Sequence, residues 1–327
     1  MAVNSLWAAA SLAAASLATT TTIDLANLGK IRANKLTDGT IEALNIPFAK
    51  PPVGNLRFRR PLFPSSWTGI RDATQLGPGC IQVNASFPVD EDCLQLNVWS
   101  PAVASDEKLP VLVWAFGGGL TTGSGRTYNG TLLANLGRMV VVTVNYRVGA
   151  LGFYASSEQQ AEDQATGGLN GVLDILHALR FVHKHIPSFH GDAKRVALSG
   201  ESSGSVGSCL LAFTPHAQGL FHRLILESGA CTGPWMGPDP SRSGSFLASQ
   251  TFADGVNCTG TAKQRLSCLR KLPAGVLANS THWGDLNFGL DGFLLNNTPA
   301  NATLYYNGPL LLGGNTEDTT CYQSTSP

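Results

Sequence analysis

The sequence has no excess of charge of either sign: 22 Lys and Arg balance 22 Asp and Glu over 327 residues. Its densest basic cluster is the trio Arg57, Arg59 and Arg60. That is too small to track a phosphate backbone, so neither nucleic acid nor an acidic membrane surface is indicated as a partner. The seven cysteines form no C-x-x-C pair and none has a histidine at ligand spacing, which argues against a metal centre. Nothing in the pattern calls for a cofactor. Internal repeats and long low-complexity tracts are missing. One apolar stretch near the N-terminus is too short to cross a bilayer, and no other run could span one. What remains is the make-up of a globular protein, with 43% hydrophobic residues for a buried core and a length that suits one large α/β domain.

The chemistry is concentrated in two glycine-rich turns, each preceded by a short apolar strand. Residues 196–204 read Val-Ala-Leu-Ser-Gly-Glu-Ser-Ser-Gly, a strand running into a G-x-S-x-G turn that would present Ser202 as a nucleophile. Such a pentapeptide says little in a chain with 36 glycines, and its context gives it weight. Residues 202–213 read as a helix with Val206, Cys209, Leu210 and Phe213 on one face. Ser202 then falls at a helix N-terminus, where free N–H groups and the macrodipole favour developing negative charge. Residues 110–120 read Pro-Val-Leu-Val-Trp-Ala-Phe-Gly-Gly-Gly-Leu, a continuous apolar strand of the kind buried in a parallel sheet, broken by three glycines. Beside a serine elbow, the amides of Gly118 and Gly119 are expected to form an oxyanion hole with that of Ser203.

With these two turns in place, the chain resembles the type B carboxylesterases, the cholinesterase-like branch of the α/β-hydrolases. Further segments carry the likeness: 45–61 (Asn-Ile-Pro-Phe-Ala-Lys-Pro-Pro-Val-Gly-Asn-Leu-Arg-Phe-Arg-Arg-Pro), 91–101 (Glu-Asp-Cys-Leu-Gln-Leu-Asn-Val-Trp-Ser-Pro), 145–153 (Asn-Tyr-Arg-Val-Gly-Ala-Leu-Gly-Phe) and 219–229 (Gly-Leu-Phe-His-Arg-Leu-Ile-Leu-Glu-Ser-Gly). The resemblance implies an α/β fold with a mostly parallel central sheet flanked by helices. It also implies carboxylic ester hydrolysis of a small-molecule substrate by a Ser-acid-His triad. Departures occur at Phe116, where relatives carry His or Tyr, and at Leu120, where Phe is usual, and both bear on substrate shape. His190 and Ile175 also differ from the family pattern.

In α/β-hydrolases the acid follows the serine and the histidine follows the acid. Residues 310–322, Leu-Leu-Leu-Gly-Gly-Asn-Thr-Glu-Asp-Thr-Thr-Cys-Tyr, resemble the family's acid-bearing strand and turn. Register puts Asp318 at the acid position, with Glu317 as the alternative. No histidine follows it: all seven, at 177, 183, 185, 190, 216, 222 and 282, come earlier and are read as structural. The expectation is therefore a domain over residues 19–327 that is incomplete at its C-terminus, nearly inert by itself, with apolar surface exposed where the sheet ends. A non-catalytic esterase-like binding or adhesion protein is the alternative.

Residues 1–18 read as a signal peptide, with the apolar stretch at 6–17 and small residues placed for cleavage after Ala18. This predicts a secreted, extracellular protein. By resemblance, Cys80 pairs with Cys93 and Cys258 with Cys268, which leaves Cys209 as a buried thiol and Cys231 and Cys321 unassigned. Glycosylation sequons stand at Asn84, Asn129, Asn257, Asn279, Asn296 and Asn301. The short loop between Cys80 and Cys93 lacks the tryptophan that choline-hydrolysing relatives use as a cation–π platform. It also lacks the length of a lipase lid. A general esterase acting on short-chain or aromatic esters is the resulting expectation.

Overall fold

The computed structural model describes residues 17–232, 241–281, 286 and 288–315. The chain opens on strands β1 (Leu17–Leu25), β2 (Gly29–Leu36), β3 (Ile41–Pro47), β4 (Ile70–Ala73), β5 (Gly79–Cys80), β6 (Val89–Asp90), β7 (Gln95–Ser100) and β8 (Leu109–Ala115). Helix α1 (Thr131–Gly137), strand β9 (Val140–Val144) and helices α2 (Gly149–Phe153), α3 (Ser157–Asp163) and α4 (Asn170–His185) follow. The second half holds β10 (Gly191–Glu201), α5 (Ser203–Leu210), β11 (Arg223–Glu227), α6 (Arg242–Gly255), α7 (Ala262–Lys271), α8 (Ala274–Asn279) and β12 (Leu310–Gly313). The main sheet has the order β1-β2-β3-β7-β9-β8-β10-β11-β12, with β4 beside β2. It is antiparallel from β1 to β9 and parallel from β9 to β12.

The parallel strands read as unbroken apolar runs because both faces have to be covered. Val111, Val113, Val142, Val196, Leu198, Leu224 and Leu226 are buried on them. Helix α4 is buried on nearly every side, and α5 is buried along its whole length between α4 and the sheet. The opposite face of β8, β10, β11 and β12 carries Leu112, Trp114, Ala197, Ile225 and Leu311 around a cavity of about 860 Å³. At the β12 edge Leu310, Leu311 and Leu312 stand 58%, 64% and 59% exposed.

Polar tethers join the elements. The Arg147 guanidinium donates through Nε and Nη2 to both oxygens of Asp174 on α4, at 2.8 and 2.7 Å, and both side chains are buried. Arg57 holds Glu91 in the same two-pronged way and also donates to three carbonyls at the end of α7. His190, unexplained by the family pattern, adopts a left-handed φ of 61°, a conformation that glycine takes more easily. Ile175 is buried on α4, where its Cδ1 packs against the backbone of Gly207 on α5.

Cys80 is bonded to Cys93 and Cys258 to Cys268. Cys209 is not a buried thiol: it is bonded to Cys231, with Cα atoms 5.2 Å apart. Chain spacing hides this pairing, because β11 carries the chain back along β10 and returns Cys231 to the side of α5. Cys321 and residues 1–16 lie outside the described residues, and so does His282. All six sequon asparagines are exposed.

Candidate active site

The parallel strands β8 and β10 end side by side, with Ala115 in register with Gly200, so the two glycine turns leave the sheet as neighbours. Ser202 links β10 to α5 at φ 51° and ψ −123°, a conformation that a residue with a side chain holds only when its surroundings impose it. The surroundings are tight. A Cβ on Gly200 would run into the backbone of Gly204, and one on Gly204 into the carbonyls of Ala115 and Phe116. The Ser202 amide donates to the Glu227 carbonyl at 2.8 Å, and its carbonyl accepts from Val206 at 3.0 Å to start the helix. Strand, bend and helix are thereby locked together, which leaves the Ser202 side chain as the free element of the turn.

The glycine arm lies against this bend. A Cβ on Gly117 would stand 3.0 Å from Cβ of Ser202. Gly118 and Gly119 take φ values of 129° and 60°, and the Gly118 carbonyl accepts from the amides of Thr121 and Thr122, both at 3.1 Å. Among the described residues neither glycine amide donates to a protein acceptor. Ser203 is the first residue of α5, so its amide precedes the helical ladder and is open as well. Among the described residues these three N–H groups have no protein acceptor, and they stand on the two turns that meet at Ser202.

Supports reach this arm from residues to which the sequence reading gave no role at the site. Gln82, inside the Cys80–Cys93 loop, accepts from the Gly123 amide at 2.7 Å and donates to the Gly123 carbonyl at 2.8 Å. Asn145 donates to the carbonyls of Pro78 and Cys93 and accepts from Ser124 Oγ and the Gly125 amide. The signal available was Asn-Tyr-Arg standing directly after an apolar strand. Phe116 is buried against Tyr146 instead of lining an open surface. The Glu227 carboxyl, half-buried at the end of β11, is pushed up by desolvation while a hydrogen bond from Ser199 opposes the rise.

Strand β12, which leads toward Glu317 and Asp318, is tied to the same region by the Ser228 amide donating to the Gly313 carbonyl at 2.7 Å. Both acids lie outside the described residues. Among the described residues no histidine hydrogen-bonds Ser202. His177 and His185 are buried on α4, where desolvation holds each down at about 4. His222 accepts from the Val196 amide through Nδ1, and His216 stacks on Phe293. Among the described residues no cluster of three or more His, Cys, Asp and Glu could hold a metal, and no helix is long and apolar enough to cross a membrane.

A serine bend at the carboxyl end of parallel strands, with helices on the sheet, is the architecture of an α/β-hydrolase. The profile of the carboxylesterase family matches residues 19–326, and the chain belongs to that family. A cocaine esterase from Oryctolagus cuniculus is 44% identical over 243 residues, 69% of this chain and 44% of that protein. Carboxylesterase 3 from Homo sapiens is 38% identical over 265 residues, 75% of this chain and 45% of that protein. A fumonisin B1 esterase from Sphingopyxis macrogoltabida is 34% identical over 312 residues, 89% of this chain and 55% of that protein. The chain spans about half the length of the curated relatives it matches.

Proposed function

We propose that this protein hydrolyses carboxylic esters of small molecules with Ser202 as the nucleophile. One observation carries the reading: Ser202 at a positive φ, wedged between glycines with no room for a Cβ, where two turns meet whose three amides have no acceptor among the described residues. Ser202 Oγ attacks the ester carbon and loses its proton to a base, and the carbonyl oxygen takes up the negative charge. The Gly118, Gly119 and Ser203 amides receive that charge, each such donor being worth about 2.7–4 kcal/mol of barrier. The alkoxide leaves with a proton, and water then releases the acid from the acyl-serine. Asp318, or Glu317 in its place, orients the base. No described histidine reaches Ser202, so the base has to come from outside the described residues, and without one turnover would lie about a millionfold below a complete triad, roughly 8 kcal/mol. That same point supports the second reading, a non-catalytic esterase-like binding protein.

Secretion and glycosylation belong to the same proposal. The signal-peptide pattern read over residues 1–18, three disulfides and six exposed sequon asparagines support an extracellular glycoprotein. A fluorophosphonate probe tests the chemistry. Labelling of the protein that disappears in Ser202→Ala supports a reactive serine at that position. Equal labelling of the two proteins, or none of either on prolonged exposure, refutes it in favour of binding.

A further inference from the structure

We propose that Tyr146 is a positioning residue for this site, holding the Gly117–Gly119 arm and the Ser203 arm at a fixed separation. The inference rests on the ester-hydrolase reading and adds a residue to it. Tyr146 follows β9 by two residues and is buried. Its hydroxyl donates to the Phe116 carbonyl at 2.5 Å, and its ring stacks on that of Phe116 with centroids 4.1 Å apart and planes 12° from parallel. The same hydroxyl lies beside the Ser203 side chain, whose buried Oγ makes no hydrogen bond among the described residues. The Phe116 carbonyl is also the group that Gly204 approaches without a Cβ. One phenol thus touches the residue before the glycine run and the residue whose amide would complete the oxyanion cradle.

The physical need for such a clamp follows from the glycines. Three consecutive glycines have more backbone freedom than any other tripeptide, and here two of their amides have no acceptor among the described residues to hold them. The arm has to be fixed from its ends. Gln82 and the turn carbonyl of Gly118 fix the far end. At the near end, engaging the Phe116 carbonyl sets the 116–117 peptide plane and with it the direction in which the arm departs. Tyr146 is itself held on both sides, by the four hydrogen bonds of Asn145 and the Arg147–Asp174 pair. Burial pushes the phenol well above its ordinary value, so it stays a proton donor across the working range.

Tyr146→Phe keeps the ring and removes the hydroxyl. Three readouts apply: hydrogen exchange of the 116–123 backbone, the rate of fluorophosphonate reaction at Ser202, and kcat and KM on p-nitrophenyl acetate. The expected result is faster exchange confined to 116–123, a labelling rate and kcat lower by about 10- to 100-fold, and KM within about twofold. Unchanged exchange with unchanged labelling overturns the proposal. Exchange that rises equally in β9 and α4 also overturns it, since that marks general loosening. A wild-type protein that labels no faster than Ser202→Ala refutes the ester-hydrolase reading, and exchange at 116–123 still decides whether Tyr146 holds the arm.

Discussion

Removing the Asp174 carboxylate should destabilise the protein more than any other single loss of charge in the described structure. Asp174 is fully buried on α4 and accepts from the Arg147 amide at 3.0 Å as well as from the guanidinium. Asp174→Ala leaves a buried guanidinium with only the Arg59 carbonyl as partner, at 2.8 Å. Stranding one member of a buried pair costs about 3–5 kcal/mol. With an unfolding entropy near 2.1 cal/mol/K per residue over about 300 residues, a loss of about 4 kcal/mol lowers Tm by roughly 6 °C. Replacing both members by apolar residues of similar size, Arg147→Met with Asp174→Leu, removes the stranded charge. It leaves the Arg59 carbonyl without its donor and the Arg147 amide without its acceptor, a penalty of about 1–3 kcal/mol each. Urea titration of the wild type, both single variants and the double variant gives the coupling energy, expected to be about 2 kcal/mol or more. Single losses below about 1 kcal/mol that simply add in the double variant would refute the reasoning.

Acid titration should reveal two opposed groups. His177, 4% exposed between Phe48 and Phe63, is held down at about 4 by desolvation and by the nearby charges of Arg180 and Arg147. The unfolded chain binds a proton here that the folded chain does not, so stability is complete above about 6.5 and falls by about 3 kcal/mol as pH drops to 4. Asp291 is buried with its Oδ1 accepting three amides and is pushed up by desolvation to about 6. Its sign is opposite: the folded chain keeps the proton longer, so stability falls as pH rises from about 4 to 6. His177→Leu should flatten the acid loss and Asp291→Asn should steepen it, read as Tm between pH 7 and 4, and parallel curves would contradict both assignments. Gly204→Ala drives a methyl into the Ala115 and Phe116 carbonyls, so it should cost about 1–3 kcal/mol and abolish fluorophosphonate labelling by parting β8 from α5. Wild-type labelling in that variant would show that the two arms tolerate separation.

The catalytic elements were legible where the signal is local. The strand read at 195–199 is present within a longer β10, and the helix after Ser202 runs to Leu210 before tightening into a 3₁₀ turn at Leu211–Phe213. The strand before the three glycines ends at Ala115, since the backbone leaves the sheet at Phe116 to meet Tyr146. What escaped was the support of the site, because Gln82, Asn145 and Tyr146 act on segments that lie 41, 67 and 30 residues away. The Cys209–Cys231 bond escaped for the same reason. The acid of the triad stays a matter of register, between Asp318 and Glu317, outside the described residues.

By itself the sequence determined where the chain turns, which segments are buried, and that Ser202 sits between glycines at a strand-to-helix bend. Those properties depend on side-chain size and on hydrophobic period within a dozen residues, and neighbours in the chain suffice to express them. Only the tertiary structure decided that the Gly117–Gly119 arm lies against that bend, that the Tyr146 phenol just past β9 reaches the Phe116 carbonyl, and that Cys209 finds Cys231. These are meetings of distant segments, set by which strands lie side by side in the sheet, and the order of strands follows from packing the whole core at once.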